Sequence, residues 1–336
     1  MFSLALPLLL AAAPVELAVL SKDVASSSLE LRWQPLGAPR VVEPFARLEA
    51  LPDETFRGVA LPGSRAVAVV RTPAVKADLS FAATLAVVAP GQPERTLAAN
   101  VVRASKPVLV GQRLFVERGT AGAEPRDGSF RVDSLSIDEV DPGSGRLRTV
   151  YEAKGFWVHL AGAFERELVL YVAGPEGARL EAVQVDTLAV RPLLASMPAL
   201  AHDFVIDAPN QSVVFTIAEQ GVERWFIERV RLGTARRERL AEGDSVALLP
   251  AVLPSGLAYA PGAGLGLRWV GRDGVALAAR GAGFERVRLV AEGLVVVRHE
   301  ESGEAPWVYV TRAKDLSAVP FVAPRGAIID VAGVRR

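Results

Sequence analysis

The sequence predicts an all-β protein: a β-propeller of four-stranded antiparallel blades, seven in number, with six as the alternative count. Three observations predict it. Short apolar, β-branched runs recur along the whole chain, a two-strand unit repeats every 40 to 55 residues, and no long stripe of 3.6-residue period interrupts the pattern. The 336 residues are half apolar and 23% charged, which describes a core-forming chain and excludes intrinsic disorder.

The amino end reads MFSLALPLLLAAA over Met1–Ala13. This run is too short for a bilayer, which needs about 20 apolar residues. It ends in small residues, Ala11 to Ala13, and fits the hydrophobic region and cleavage site of a secretory signal peptide. The expectation is a leader over 1–13 and a single propeller domain over 14–336, in the periplasm or outside the cell. Charges, Gly or Pro interrupt every later apolar stretch, so no membrane span is expected.

Strands follow in a regular order. Arg65–Arg71 (RAVAVVR), Leu114–Glu117 (LFVE), Leu168–Ala173 (LVLYVA), Ser212–Ala218 (SVVFTIA) and Leu294–His299 (LVVVRH) read as second strands of successive or near-successive blades. Hairpins recur at Leu29–Phe45, Thr84–Val102, Ser134–Val150, Leu180–Leu194, Trp225–Leu240, Leu267–Arg280 and Trp307–Val322. Leu193–Ala201 (LLASMPALA) has a helical composition cut by Pro198, which allows one or two short helical turns. The last apolar run, Ala327–Val334, is expected to supply the innermost strand of the first blade, closing the ring and removing exposed sheet edges. Each blade buries its faces only against its neighbours, so the ring is the folding unit.

Within this pattern Asp207–Gly243 carries Ala208-Pro209-Asn210-Gln211, then Val213-Val214-Phe215, a loop, and Trp225 at the start of a third strand. Leu61-Pro62-Gly63-Ser64 ahead of Arg65–Val69 repeats the tetrad, and Trp307-Val308-Tyr309-Val310 repeats the third strand. These stretches resemble a blade of the TolB-like periplasmic β-propellers, in which a Ser-Pro-Asp-Gly-type tetrad makes the tight turn between the first two strands. The resemblance implies fold; a structural motif says little about activity.

Chemistry is defined mostly by what is missing. There is no cysteine, which removes thiol nucleophiles, Cys-ligated metals, disulfides and a lipoprotein anchor cysteine together. Basic and acidic residues balance at 38 each, so nucleic acid is not an expected partner. No G-x-S-x-G, P-loop or H-E-x-x-H motif is present. Gly262–Gly266 (GAGLG) reads as a flexible turn. Asp133, Asp138, Glu139 and Asp141 match no calcium loop and read as a solvated hairpin tip. Arg231, Arg236, Arg237 and Arg239 are interspersed with glutamates and read as a salt-bridged surface. No metal or organic cofactor is expected.

The remaining candidates are Trp157, His159, His202 and Asp203, all on segments expected to be innermost strands at the central channel or its mouth. Trp157 and His202 are taken as equivalent positions through the 45-residue offset between Leu168 and Val213. His299 is placed on an exposed loop, and Trp33, Trp225, Trp269 and Trp307 are read as packing between blades. Two functions stay open. One is an exported, non-catalytic, monomeric bacterial scaffold that binds another cell-envelope protein; the other is a channel-mouth enzyme or binder of a sugar or ester.

Overall fold

The computed structural model describes residues 15–335 except 24–25, 37, 39, 52, 74–81, 104, 122–131, 154–156, 176, 199, 219–223, 244–247, 249, 254–255, 260, 262–267, 272–275, 279–283, 292–293, 300–306, 313–316 and 322–326. The leader and the Gly262–Gly266 turn lie outside the described residues.

The strands run in antiparallel meanders. β1 (Glu16–Asp23), β2 (Ser28–Pro35) and β3 (Ala46–Glu49) open the chain; β4 (Thr55–Ala60), β5 (Val67–Thr72), β6 (Ala83–Val88) and β7 (Arg95–Val101) follow. Next come β8 (Val108–Val110), β9 (Arg113–Ala121), β10 (Val132–Val140) and β11 (Leu147–Ala153). The third meander is β12 (Trp157–Phe164), β13 (Glu167–Gly174), β14 (Gly177–Gln184) and β15 (Val190–Met197). β16 (His202–Asp207), β17 (Ser212–Ala218), β18 (Trp225–Arg231) and β19 (Arg237–Gly243) form the fourth. β20 (Ala251–Leu253), β21 (Gly256–Tyr259), β22 (Arg268–Gly271) and β23 (Ala276–Ala278) precede β24 (Phe284–Ala291), β25 (Leu294–His299), β26 (Trp307–Arg312) and β27 (Ser317–Phe321). The final strand, β28 (Ala327–Arg335), returns to β1 and gives the sheet order β28-β1-β2-β3.

Among the described residues these strands form five four-stranded sheets and one of eight. The eight-stranded sheet is the meander β4–β7 joined to the meander β8–β11 through one register pair, Val101↔Arg118. The first strands of the units touch in sequence: β8 with β12, β12 with β16, β16 with β20, β20 with β24, β24 with β28, and β28 with β4. β28 is therefore the innermost strand of the first unit, as expected, and the chain ends are sewn into one sheet.

The apolar runs fall where the sequence places them, on second strands, and the reason is burial on both faces. Leu168, Leu170 and Val172 of β13 enter the core shared with Phe115, Leu135 and Ile137, while Val169 and Tyr171 enter the core shared with Val213, Phe215 and Phe226. β5 divides the same way, Val67 and Val69 toward β1 and β2, Ala68 and Val70 toward Leu114 and Val116. A strand with two buried faces reads as a continuous hydrophobic run. Outer strands β3, β11 and β19 are largely exposed and polar, which blunts the sheet edges. Phe215 is fully buried, so Phe215→Ala is expected to cost about 3–5 kcal/mol. A urea titration checks this, with a midpoint near wild type counting against sheet-to-sheet packing as the main source of stability.

Three expectations are corrected. Residues 193–197 are not helical: β15 continues to Met197, because β14 supplies a strand to pair with, and the described helix is the 3₁₀ turn Ala208–Asn210 alone. His299 ends β25 opposite Trp307 instead of lying on a loop. Asp138 is buried against Arg118 at 2.6 Å, and Glu139 pairs with Arg113 and Arg148; only Asp141 sits at the hairpin tip, where it accepts from the Ser144 N–H.

The tetrads do make the turns between first and second strands. In Ala208–Gln211 the turn closes with Gln211 at φ 45°, and Asp207 accepts from Asn210 Nδ2 at 2.7 and 2.9 Å. In the other, Gly63 takes φ 69°, a conformation that favours glycine. Trp33 packs between units as expected, buried and donating its Nε1–H to the Arg65 carbonyl at 2.9 Å.

Candidate functional site

His159 and His202 both lie on innermost strands, β12 and β16, and both strands are irregular there. β12 carries a bulge between Leu160 and Gly162, and β16 one between His202 and Val205. A bulge re-aims side chains and commonly adjoins functional positions. In β16 it includes Asp203 at φ 52°, outside the region that most residues occupy.

The register corrects the equivalence drawn from sequence. His159 lies opposite Tyr171 and His202 opposite Thr216; Tyr171 and Thr216 are themselves 45 residues apart. The two histidines are therefore equivalent, and Trp157, opposite Ala173, is not the partner of His202. The cause is loop length: residues 208–211 separate β16 from β17, whereas only 165–166 separate β12 from β13. An ungapped offset carried across that turn slips by two residues.

His159 Nδ1–H donates to Glu117 Oε1 at 2.8 Å, and the Leu160 N–H donates to the same oxygen at 2.7 Å. Glu117 is 2% exposed and comes from β9, a second strand. It reaches the centre because the strand inside it, β8, pairs with β9 only over 108–110 against 113–115. Burial opposes a charge on His159, but Glu117 in contact and Asp203 nearby outweigh it and raise the imidazole pKa above its ordinary value. Phe204 packs on the ring at 5.6 Å between centroids.

His202 stands 5.3 Å from the Trp225 ring, with Nδ1 3.1 Å from Asp203 Oδ2. That contact has ion-pair distance without hydrogen-bond alignment, and Asp203 Oδ2 and His202 Nε2 are both buried without a hydrogen-bond partner among the described residues. Arg57, on β4, is half-buried and makes no hydrogen bond or ion pair among the described residues. Burial lowers its pKa, and Asp203 acts in the opposite direction.

The structure places His159, His202 and Asp203 on the adjoining innermost strands β12 and β16. Trp157 shares the strand face of His159 and is exposed, but among the described residues no ring or polar contact joins it to the cluster. Sequence reading missed Glu117. The available signal for Glu117 was an acid closing an apolar second-strand run, at a place where both faces are buried. Among the described residues no group of three or more His, Asp or Glu side chains is arranged to hold a metal ion.

No protein-family model matches the chain, and no curated protein matches it. Solved structures do. The β-propeller domain of the Trilobed protease from Pyrococcus furiosus superposes with TM-score 0.55 at 14% identity, over 81% of this chain and 86% of that one. TolB from Acinetobacter baumannii superposes with TM-score 0.53 at 9% identity, over 96% of this chain.

The chain has a TolB-like β-propeller fold.

It spans 66% of the TolB chain and about half of the two peptidase chains that share the fold. An oligogalacturonate lyase from Vibrio parahaemolyticus also superposes, with TM-score 0.57 at 11% identity, over 87% of this propeller and 90% of the lyase. At such identities the likeness speaks for the fold alone. Among the described residues of this propeller, no helix is long and apolar enough to cross a membrane, which leaves strand-built spans unaddressed.

Proposed function

We propose that this propeller is an exported, non-catalytic scaffold of the bacterial cell envelope that binds another protein at its channel mouth. In this reading 1–13 is a cleaved leader, 14–336 is one seven-bladed domain, and the protein works as a monomer in the periplasm without metal or organic cofactor. The observation that supports it most is the His159–Glu117 pair. Glu117 holds the His159 ring through Nδ1–H and accepts from the Leu160 N–H as well, which makes this part of the wall a fixed arrangement of polar groups. Fixed polar arrangements serve recognition and partner discrimination.

A second reading, a channel-mouth enzyme or a binder of sugars or esters, draws on the unpartnered His202 Nε2 and on the lyase and peptidases that share the fold. One experiment separates the two. The full chain is tagged and used as bait in envelope extract, and the native protein is weighed intact. The scaffold reading expects loss of the leader mass and one stoichiometric partner. Capture should fall with Trp157→Glu at the mouth and persist with Arg236→Glu on the outer hairpin. Sugar or ester turnover that disappears in His202→Ala would overturn it.

A further inference from the structure

Among the described residues, three of the side-chain atoms that are buried without a hydrogen-bond partner stand together: His202 Nε2, Asp203 Oδ2 and Thr216 Oγ1. His202 and Thr216 are register partners on β16 and β17, which sets their side chains side by side on one face of the sheet, about 5 Å apart at Cβ. Asp203 Oδ2 lies 3.1 Å from His202 Nδ1, and the Trp225 ring packs 5.3 Å from the imidazole. Thr216 is fully buried and makes the floor of the cluster. The His202 and Asp203 side chains are 34% and 27% exposed although these two atoms are not, so the polar atoms point inward beneath an open rim. Arg57 feels the Asp203 charge but makes no ion pair with it. Withdrawing polar atoms from water without partners is costly, and three of them in one place call for a role.

We propose that His202, Asp203 and Thr216 form a binding site for a primary ammonium group. The three atoms share one property, which is that each can accept a hydrogen bond. An ionised carboxylate oxygen only accepts, and Asp203 beside Nδ1 keeps the imidazole proton on that nitrogen, which leaves a lone pair on Nε2. The threonine hydroxyl accepts as readily as it donates. An ammonium carries three N–H donors and no acceptor, so one group answers all three atoms. A hydroxyl has a single donor and would leave two of them unmet, while an anion would meet Asp203 with like charge. The guest is singly charged, because Asp203 is the one carboxylate of the cluster and Glu117, on the neighbouring unit, is engaged by His159 and Leu160. Trp225 adds an indole ring, the aromatic group that attracts cations most strongly. The partly open His202 ring turns aside to admit the group. The site does not depend on the scaffold reading: a lysine of a protein partner and a free small amine offer it the same chemistry.

The test uses the full chain and three probes in calorimetry: Nα-acetyl-lysine methylamide, the same compound acetylated on its side-chain amine, and butylamine. Wild type is expected to bind the free amine of the first probe at least about tenfold more tightly than the acetylated form, the order expected when a charge-assisted hydrogen bond is lost. Asp203→Asn should remove that preference without unfolding the chain, since asparagine tolerates the φ of 52° at this position. Thr216→Val should weaken amine binding and leave the melting temperature of the free protein unchanged or raised, because it replaces an unpaired buried hydroxyl by a methyl group of the same shape. Equal binding of the free and acetylated probes, no binding of any probe, or undiminished amine binding by Asp203→Asn would overturn the site. A fall in melting temperature for Thr216→Val would overturn it too, by giving the hydroxyl a structural role. Lysine derivative tighter than butylamine, with partner capture lost in Asp203→Asn, assigns the site to a lysine of the partner. Butylamine as tight as the lysine derivative, with capture unchanged in Asp203→Asn, assigns it to a free amine. Capture that persists while no amine binds would remove the site and leave the scaffold reading standing.

Discussion

Glu117→Ala is expected to destabilise the protein by about 3 kcal/mol, the low end of the range for breaking a buried ion pair, because His159 on the other side is partly open to water. The carboxylate is 2% exposed and serves two donors on the neighbouring unit, His159 Nδ1–H and the Leu160 N–H. Alanine strands both. Glu117→Gln keeps an acceptor for Leu160 and loses only the charge, so it should cost less. The pH dependence has a definite sign. Glu117 raises the His159 pKa above its unfolded value near 6.5, so the stability it contributes is complete below that pH and is lost as pH rises through the folded value. The stability gap between wild type and Glu117→Gln should be wider at pH 6 than at pH 9 in urea titrations, and the His159 proton resonance should titrate lower in the variant. A gap that is the same at both values would remove the ion pair from the account.

Removing residues 327–336 is expected to have the largest effect of all: loss of a single cooperative unfolding transition, with aggregation on a sizing column. β28 forms antiparallel register with β1 from Ala327↔Lys22 to Arg335↔Glu16, so its loss uncovers a full strand edge. It also seals the junction with the next unit. Asp330 Oδ2 accepts from the Gly58 N–H at 2.8 Å across 272 residues of chain, and Ala332 packs in the core with Leu20 and Phe56. The approach there is close enough that a Cβ on Gly333 would lie 2.9 Å from the Ala60 Cβ. Gly333→Val should therefore destabilise by about 1–3 kcal/mol as an overpacked contact, a graded version of the truncation. Circular dichroism melts and sizing check both; a truncated chain that melts cooperatively near the wild-type midpoint would show that closure contributes little.

Much of the fold was legible because its determinants are local. Second strands such as Leu168–Ala173 and Ser212–Ala218 are buried on both faces and so carry unbroken apolar runs, and the following third-strand hairpins announce themselves by turn residues. Fourth strands were harder: β15 contains Pro192 and exposed positions, and its strand character comes from pairing with β14. The candidate site was half legible. His159, His202 and Asp203 could be placed on innermost strands by counting strands within a repeat. Glu117 could not, since its access to the channel depends on β8 being only three residues long.

What the sequence by itself determined, then, is the repeat: which segments are strands, which strand of a unit each is, and that Ala327–Val334 returns to the first unit. These follow from alternation and burial over five to eight residues, which any short window displays. The tertiary structure alone decided which polar groups meet. Bringing Glu117 from β9 against His159 on β12, and β12 against β16 with His202 and Asp203, requires neighbouring units to pack, and the two bulges and the unequal 165–166 and 208–211 turns to set each register. Convergence of side chains from separate strands is a property of distances across the ring, and no local pattern of residues encodes a distance of that kind.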